Sequence, residues 1–288
     1  MVRFKKIYIE ITNRCNLSCN FCAASNRRKG DMATADFATI LSQLKPFTTH
    51  LCLHVLGEPL LHPNLGELLQ LCHAQSFRVN LTTNGTLLSY LGVRLLTAPA
   101  LRQVNVSLHS SGGRGSGFDQ GRYLAGVLQF AKEAAAQGIY VNLRIWDLIG
   151  EGEEGGRRRQ EALLAGLEEF FALTAPLADA VVAGQGVTLA SKIFLSQKGL
   201  FSWPTIAGPD LGGQGFCLGL RDQAAILLDG TVVPCCLDAE GVIALGNVFQ
   251  DSFATIIAGE RAVHLRRGFS QRKIVEELCR RCSYRLRF

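Results

Sequence analysis

Residues 7–25, IYIEITNRCNLSCNFCAAS, place Cys15, Cys19 and Cys22 on one short loop directly after an apolar run. Thiolates favour zinc or iron–sulfur clusters. A structural zinc closes four ligands, usually drawn from paired C-x2-C units, whereas this C-x3-C-x2-C spacing supplies three. A [4Fe–4S] cubane ordinarily takes one thiolate on each of its four irons. Three thiols therefore leave one iron open, which is what a substrate or cofactor needs in order to coordinate. The competing reading is a zinc site completed by a distant His or Cys.

The rest of the cysteine inventory supports metal over disulfides. The chain of 288 residues has ten cysteines, and its N-terminus, MVRFKKIYIEIT, has an apolar run too short for a secretory signal. No window offers the roughly 18 apolar residues of a membrane span. The expected location is the cytoplasm, where thiols stay reduced. Cys52 and Cys72 stand alone in apolar surroundings and read as core; the other eight fall into one group near each end. A hydrophobic content of 48% is enough for a sizeable core. The net charge of +6 is spread over short runs such as Arg27-Arg28-Lys29, Arg157-Arg158-Arg159, Arg266-Arg267 and Arg280-Arg281. They lack interleaved aromatics, which speaks for solvated surface and against a nucleic-acid face.

The first two thirds of the chain alternate between two periodicities. Strand-like runs occur at 6–12, 50–56, 77–83, 102–109 and 139–148, with a sixth at 180–183 or 187–195. Helix-like segments with apolar residues every three and four positions lie between them. Repeated strand–helix units predict an α/β fold with a parallel sheet, a complete or partial barrel. In such barrels active sites form at the C-terminal ends of strands, where the three-thiol loop falls. The glycine-rich stretches 109–121 and 150–156 read as rim loops, the first lacking the Lys-Ser/Thr ending of a phosphate loop. The Gly/Pro-rich stretch 201–215 reads as a linker. It sets a boundary near 205, giving domains 1–205 and 206–288. Beyond it come short strand-like pieces with an Asp-Gly turn, a helix and a Cys pair.

Cys15-Asn-Leu-Ser-Cys19-Asn-Phe-Cys22, preceded by Ile-Thr-Asn-Arg, resembles the signature of radical S-adenosylmethionine (SAM) enzymes, including the aromatic Phe21 before the third Cys. The resemblance implies a partial (β/α)6 TIM-like barrel. In that family the open iron is chelated by the amino and carboxylate groups of SAM. Reductive cleavage then yields methionine and a 5′-deoxyadenosyl radical, which abstracts hydrogen from substrate. Leu56-Gly57-Glu58-Pro59 looks like the family's Gly-Gly-Glu-Pro motif for the methionine amino group, with Leu56 in place of the first Gly. Thr83-Asn84-Gly85 and Asn105-Val106-Ser107-Leu108-His109 resemble the next strand-end motifs, Ser107 contacting the ribose or carboxylate of SAM. Arg122 or Arg144 is the candidate partner of that carboxylate. His54 and His109 are candidates for a proton relay, or simply core and rim histidines.

The second group, Cys217, Cys235, Cys236, Cys279 and Cys282, has the layout C-x12-G-x4-C followed by C-x2-C. With Gly246-Asn247-Val248 and Ser252, it resembles the shortened "twitch" form of the SPASM domain, a small α+β domain holding one auxiliary [4Fe–4S] cluster. The resemblance implies Cys217, Cys235, Cys279 and Cys282 as ligands, with Cys236 a spare thiol. A four-cysteine zinc ribbon is the competing reading. The expected cofactors are two [4Fe–4S] clusters and SAM, with a flavodoxin- or ferredoxin-type electron donor. The expected substrate is a small molecule undergoing dehydrogenation or a peptide undergoing modification. The first strand is expected to begin near residue 6, and no peptide-recognition extension is expected before it. The ending RLRF differs from the Gly-Gly tail of the molybdenum-cofactor GTP cyclases. A non-catalytic iron–sulfur electron-transfer protein and a zinc-binding module are the rival readings.

Overall fold

The computed structural model describes residues 2–23, 25–109, 119–147, 154–181, 185–199 and 202–288; most of the two glycine-rich loops lies outside them. In chain order the first elements are β1 (Lys6–Ile9), α1 (Thr34–Leu44), β2 (His50–Cys52), α2 (Leu65–Ala74), β3 (Arg78–Thr83), α3 (Leu88–Leu96), β4 (Leu101–Ser107) and α4 (Gln120–Ala136). Next come β5 (Tyr140–Asp147), α5 (Glu154–Phe171), α6 (Leu177–Ala180), β6 (Gly186–Ala190) and β7 (Ile193–Gly199). The last part holds β8 (Gln223–Ile226), β9 (Thr231–Val233), β10 (Gly246–Asn247), α7 (Phe253–Ala258), α8 (Glu260–Ser270) and α9 (Glu277–Arg280). The chain divides into two compact units, Met1–Asn16 with Phe21–Val79 and Phe201–Phe288, and Leu17–Asn20 with Asn80–Leu200.

In the first unit the strands run β10-β9-β8-β1-β2. Ile7, Tyr8 and Ile9 of β1 are all buried, the near-continuous apolar run of a parallel strand covered on both faces. On one side β1 pairs with β2 in parallel (Ile7↔Leu51, Tyr8↔Cys52); on the other it pairs with β8, also in parallel, from Lys6↔Gln223 to Ile9↔Ile226. Helix α1 buries Phe37, Ile40, Leu41 and Leu44, and α2 buries Leu65, Leu68, Leu69 and Cys72, each at helical spacing. β8 and β9 form the hairpin expected at the Asp-Gly turn. Gly230 there has φ +85°, where a side chain would be strained. Two consecutive helices, α7 and α8, follow where the periodicity led to one.

In the second unit β4, β5 and β7 are parallel neighbours and β6 returns antiparallel along β7. The sixth barrel strand is thus β7, and the window 187–195 straddles a hairpin. Its turn carries neither Gly, Pro nor Asn; Lys192 takes φ +62° instead, so the apolar pattern reads straight through. Residues up to 180 close the short α6. Along β4 and β5, Val104, Val106, Val141, Leu143 and Ile145 are buried on one face. By alternation and register, Asn105, Ser107, Asn142, Arg144, Trp146 and Ser196 share the other face, with Ser107↔Arg144↔Ser196 in one row.

His109, just past β4, is buried and stacks on Trp146 at 4.1 Å between ring centroids. Its Nδ1 lies 3.3 Å from the Arg144 carbonyl, which makes Nδ1–H the donor. Burial pushes its pKa from 6.5 down to about 4, the Arg144 charge adds to the fall, and the carbonyl contact offsets part of it. The unfolded chain binds a proton near 6.5, so the stability from neutral His109 is whole above that pH and lost as pH falls toward 4. Between pH 7.5 and 5.5 the wild type should lose about 1 kcal/mol more than H109F, read from urea midpoints.

Candidate functional site

The loop carrying the first three cysteines is closed at its base by the residues that precede it. Thr12 donates to Asp31 Oδ1 at 2.7 Å and to the Gly30 carbonyl at 3.1 Å. The Asn13 side chain bonds the backbone of Arg28 and Gly30, at 3.0 and 2.8 Å. Below that closure lies Glu10, with no solvent exposure. Arg27 Nη1 and Nη2 donate to its two oxygens at 2.7 and 2.6 Å. Burial alone would lower the Arg27 pKa. The Glu10 hydrogen bonds, together with the charges of Glu10, Glu240 and Asp229, raise it above its ordinary value. Removing one partner of such a buried pair costs about 3–5 kcal/mol.

Cys15 and Cys22 are exposed at the loop surface and Cys19 is half-buried. Partial burial raises the Cys22 pKa, the neighbouring Cys15 adds to the rise, and the Ala23 N–H and the Lys29 charge oppose it. The Phe21 carbonyl accepts a 3.1 Å hydrogen bond from Trp203 Nε1. That indole packs with Ala23 and Cys236 against a buried cluster containing Tyr8, Val55 and Leu56.

The Gly57-Glu58-Pro59 segment docks on the same loop, backbone to backbone. The Glu58 N–H donates to the Arg14 carbonyl at 2.7 Å. Gly57 has φ +77°, and a Cβ there would stand 2.6–2.9 Å from backbone atoms of Thr12, Asn13 and Arg14. Glu58 is buried and its carboxylate accepts from the Leu60 N–H at 3.0 Å, capping a 3₁₀ turn that begins at Pro59. His54, considered for proton relay, sits edge-on to Tyr8 at 5.3 Å.

In the second unit the Thr83-Asn84-Gly85 turn is fixed by its own side chains. Thr83 Oγ1 and Asn84 Oδ1 accept from the N–H groups of Gly85 and Thr86, and Tyr123 donates to the Asn84 carbonyl at 2.8 Å. Ser107, the last residue of β4, pairs in register with Arg144, three residues before the end of β5. The Arg122 side chain is 87% exposed, on the first turn of α4, 3.9 Å from Asp119.

The distant cysteines converge. Cys217, Cys235, Cys279 and Cys282 line one cavity, together with Asp238, Leu278, Tyr284 and Arg285. Burial pushes the pKa of all four thiols up, and the charge of a neighbouring thiol adds to the rise at Cys217, Cys235 and Cys279. Metal loading must therefore displace protons. Asp238 spends its two oxygens on the Val242 and Ile243 N–H groups at 2.9 and 2.8 Å. Arg285 is buried and donates to the carbonyls of Leu211, Gly212, Gln214 and Cys279 at 2.7–3.1 Å. Four thiols and a fixed cation suit an anionic iron–sulfur cluster. Among the described residues no three His, Cys, Asp or Glu groups meet where a single metal ion would sit. Cys236 is not among the residues lining this cavity; like Trp203 and Ala23 it packs against the buried cluster of Tyr8, Val55 and Leu56.

The sequence reading did not find Glu10, Arg27, Trp203 or Arg285. A charge inside the apolar run IYIEIT was the available signal for Glu10. Its partner, 17 positions away on an irregular loop, left none.

Comparison with known proteins adds the following. The Radical SAM superfamily model matches residues 9–155, and the SPASM model, an iron-sulfur cluster-binding domain, matches 217–283. A tungsten-containing aldehyde ferredoxin oxidoreductase cofactor-modifying protein of Pyrococcus furiosus is 34% identical over 89 residues, 30% of this chain and 25% of that one. An S-adenosylmethionine-dependent nucleotide dehydratase of a Thermoplasmatales archaeon (strain ISO4-H5) is 24% identical over 155 residues, 50% of this chain and 52% of that one. The chain thus spans a quarter to about half the length of these relatives. Among solved structures, BtrN in complex with AdoMet and 2-DOIA superposes with a TM-score of 0.56 at 17% identity, over 98% of this chain and 94% of that one. Streptococcus suis SuiB bound to precursor peptide SuiA gives 0.59 at 15%, over 98% and 71%. These likenesses show the fold, a TIM-like α/β barrel with a C-terminal cluster-binding domain.

Three substitutions test the site. G57A should cost at least about 1–2 kcal/mol from backbone strain alone, seen as a lower denaturation midpoint. C279A should lose the iron of one cluster while C236A keeps the wild-type count, measured by iron and sulfide analysis of anaerobically prepared protein.

Proposed function

This chain belongs to the radical SAM superfamily and carries a SPASM iron–sulfur domain, and from that premise we propose that it dehydrogenates a polar small molecule. In this reading Cys15, Cys19 and Cys22 hold the catalytic [4Fe–4S] cluster, and Cys217, Cys235, Cys279 and Cys282 hold a single auxiliary one. When bound, the first cluster would supply the electron that cleaves SAM, SAM the 5′-deoxyadenosyl radical that takes a hydrogen atom, and the auxiliary cluster an acceptor for the second electron.

The observation that carries the reading is the polar face of β4, β5 and β7. Asn105, Ser107, Asn142, Arg144 and Ser196 share it by register, with Ser107 closing β4 at its C-terminal end, the end where barrel enzymes bind substrate. Amide and hydroxyl groups on rigid strands suit a hydroxylated or amino-bearing molecule, which they hold by hydrogen bonds that also orient it. The Leu56–Pro59 segment, docked on the cluster loop, is suited to hold the SAM amino group. Phe21 flanks the same loop, and Asn84 at the next strand end supports the cofactor from a rigid turn. In this reading Arg144, in register with Ser107, takes the SAM carboxylate, and Arg122, whose side chain is exposed, does not. The auxiliary thiols lie under a buried cation, which suits a cluster that gains negative charge. The electron donor is a flavodoxin- or ferredoxin-type protein.

Deuterated cyclitols and amino sugars, incubated anaerobically with SAM and dithionite, test the proposal. Deuterium should appear in 5′-deoxyadenosine together with a product two mass units lighter than the protiated substrate. C15A should abolish both, while C279A should spare SAM cleavage more than product. Deuterium transfer from a peptide and from none of these small molecules would overturn the reading. Separately, R144Q should weaken SAM binding about 10–100-fold, the worth of a charged hydrogen-bonded pair, and R122Q should change it less than about twofold.

A further inference from the structure

Glu10 contacts more of the chain than its place at the end of one strand requires. Its carboxylate, fully removed from solvent, accepts from three segments besides its own. Arg27 grips both oxygens from the far side of the cysteine loop. The Leu56 N–H reaches Oε1 at 3.4 Å, one residue before Gly57. The Leu228 N–H reaches Oε2 at 3.0 Å from the turn between β8 and β9. Arg27 also feels Asp229, on that same turn, and Glu240, which accepts from the Asn26 N–H at 3.4 Å.

We propose that Glu10 is a positioning residue. Through one buried carboxylate it fixes the cysteine loop, the Leu56–Glu58 segment and the β8–β9 turn, and so couples cofactor binding at the first two to the cluster-binding domain. This rests on the reading that the loop of Cys15 and the Gly57–Glu58 segment receive SAM. The coupling follows from geometry. The Leu56–Glu58 segment is tied to the first strand region by the Leu56 N–H on Glu10 and the Glu58 N–H on the Arg14 carbonyl. Releasing the first loosens the segment at its Leu56 end. The same release frees Leu228 and leaves Arg27 without its main anion. Cys235 follows β9, which begins where that turn ends, so the turn and one auxiliary ligand lie on the same hairpin.

The test compares wild-type holoenzyme with E10Q, whose amide keeps the shape but can accept at one oxygen instead of two. Hydrogen exchange should accelerate at least tenfold in both peptides, the one containing Leu56 and the one containing Leu228, with the α2 peptide unchanged. SAM, titrated by its effect on the cluster's electron paramagnetic resonance spectrum, should bind at least tenfold more weakly at unchanged iron content. Acceleration in one peptide alone, or SAM affinity within twofold of wild type, overturns the proposal. If E10Q does not accumulate folded, E10L/R27M replaces the pair by apolar side chains of similar volume, with the same results expected and the same results fatal. A wild-type spectrum that ignores SAM would sink the cofactor reading, leaving the two exchange rates to decide the role of Glu10.

Discussion

A carboxylate taken wholly out of water must be given donors in place of the water it loses. That requirement, at Glu10, organises the part of the molecule where chemistry is proposed. A bidentate guanidinium and two backbone N–H groups meet it, and they come from three different loops. Each of those loops carries, or directly adjoins, a motif with a proposed function. Backbone contacts reinforce the convergence: Gly57 approaches Thr12–Arg14 so closely that no side chain fits between them.

The two cysteine groups are held in physically different ways. The first lies on a surface loop whose base is tied by Thr12 and Asn13 while its thiols remain accessible. Openness there agrees with an iron that must meet a second molecule. The second group is half-buried along one cavity, with Arg285 fixed among four carbonyls beside it. Four thiols on one cavity agree with a cluster whose ligands all come from protein. Trp203 relates the two: its N–H holds the Phe21 carbonyl, while the next residue, Pro204, lines that cavity.

What the sequence disclosed follows from the range of the interactions involved. Thiol spacing along eight residues is local, and strand and helix periodicities are local, so the loop, the barrel and most element positions were readable. The assignment of Cys217, Cys235, Cys279 and Cys282 to one set came from resemblance and agrees with the cavity they line. The hairpin at 186–199 was not readable, because Lys192 supplies a left-handed turn that composition does not advertise. The partners of Glu10 were not readable either; two of them are backbone amides, which every residue possesses. The pairing of β8 with β1 joins positions more than two hundred residues apart, and no local pattern encodes it.

That last pairing bears on how such a chain could be taken apart. The linker composition invites a cut near 205, as though the barrel and the cluster-binding domain were separable modules. Yet β8 supplies the outer neighbour of β1 along all four of its residues. A fragment ending at the linker would present β1 as a bare, flat, apolar edge, the kind of surface that recruits strands from other molecules. Truncation would therefore be met first as insolubility, and swapping cluster-binding domains between relatives would succeed only when the replacement brings a strand that can seal that edge.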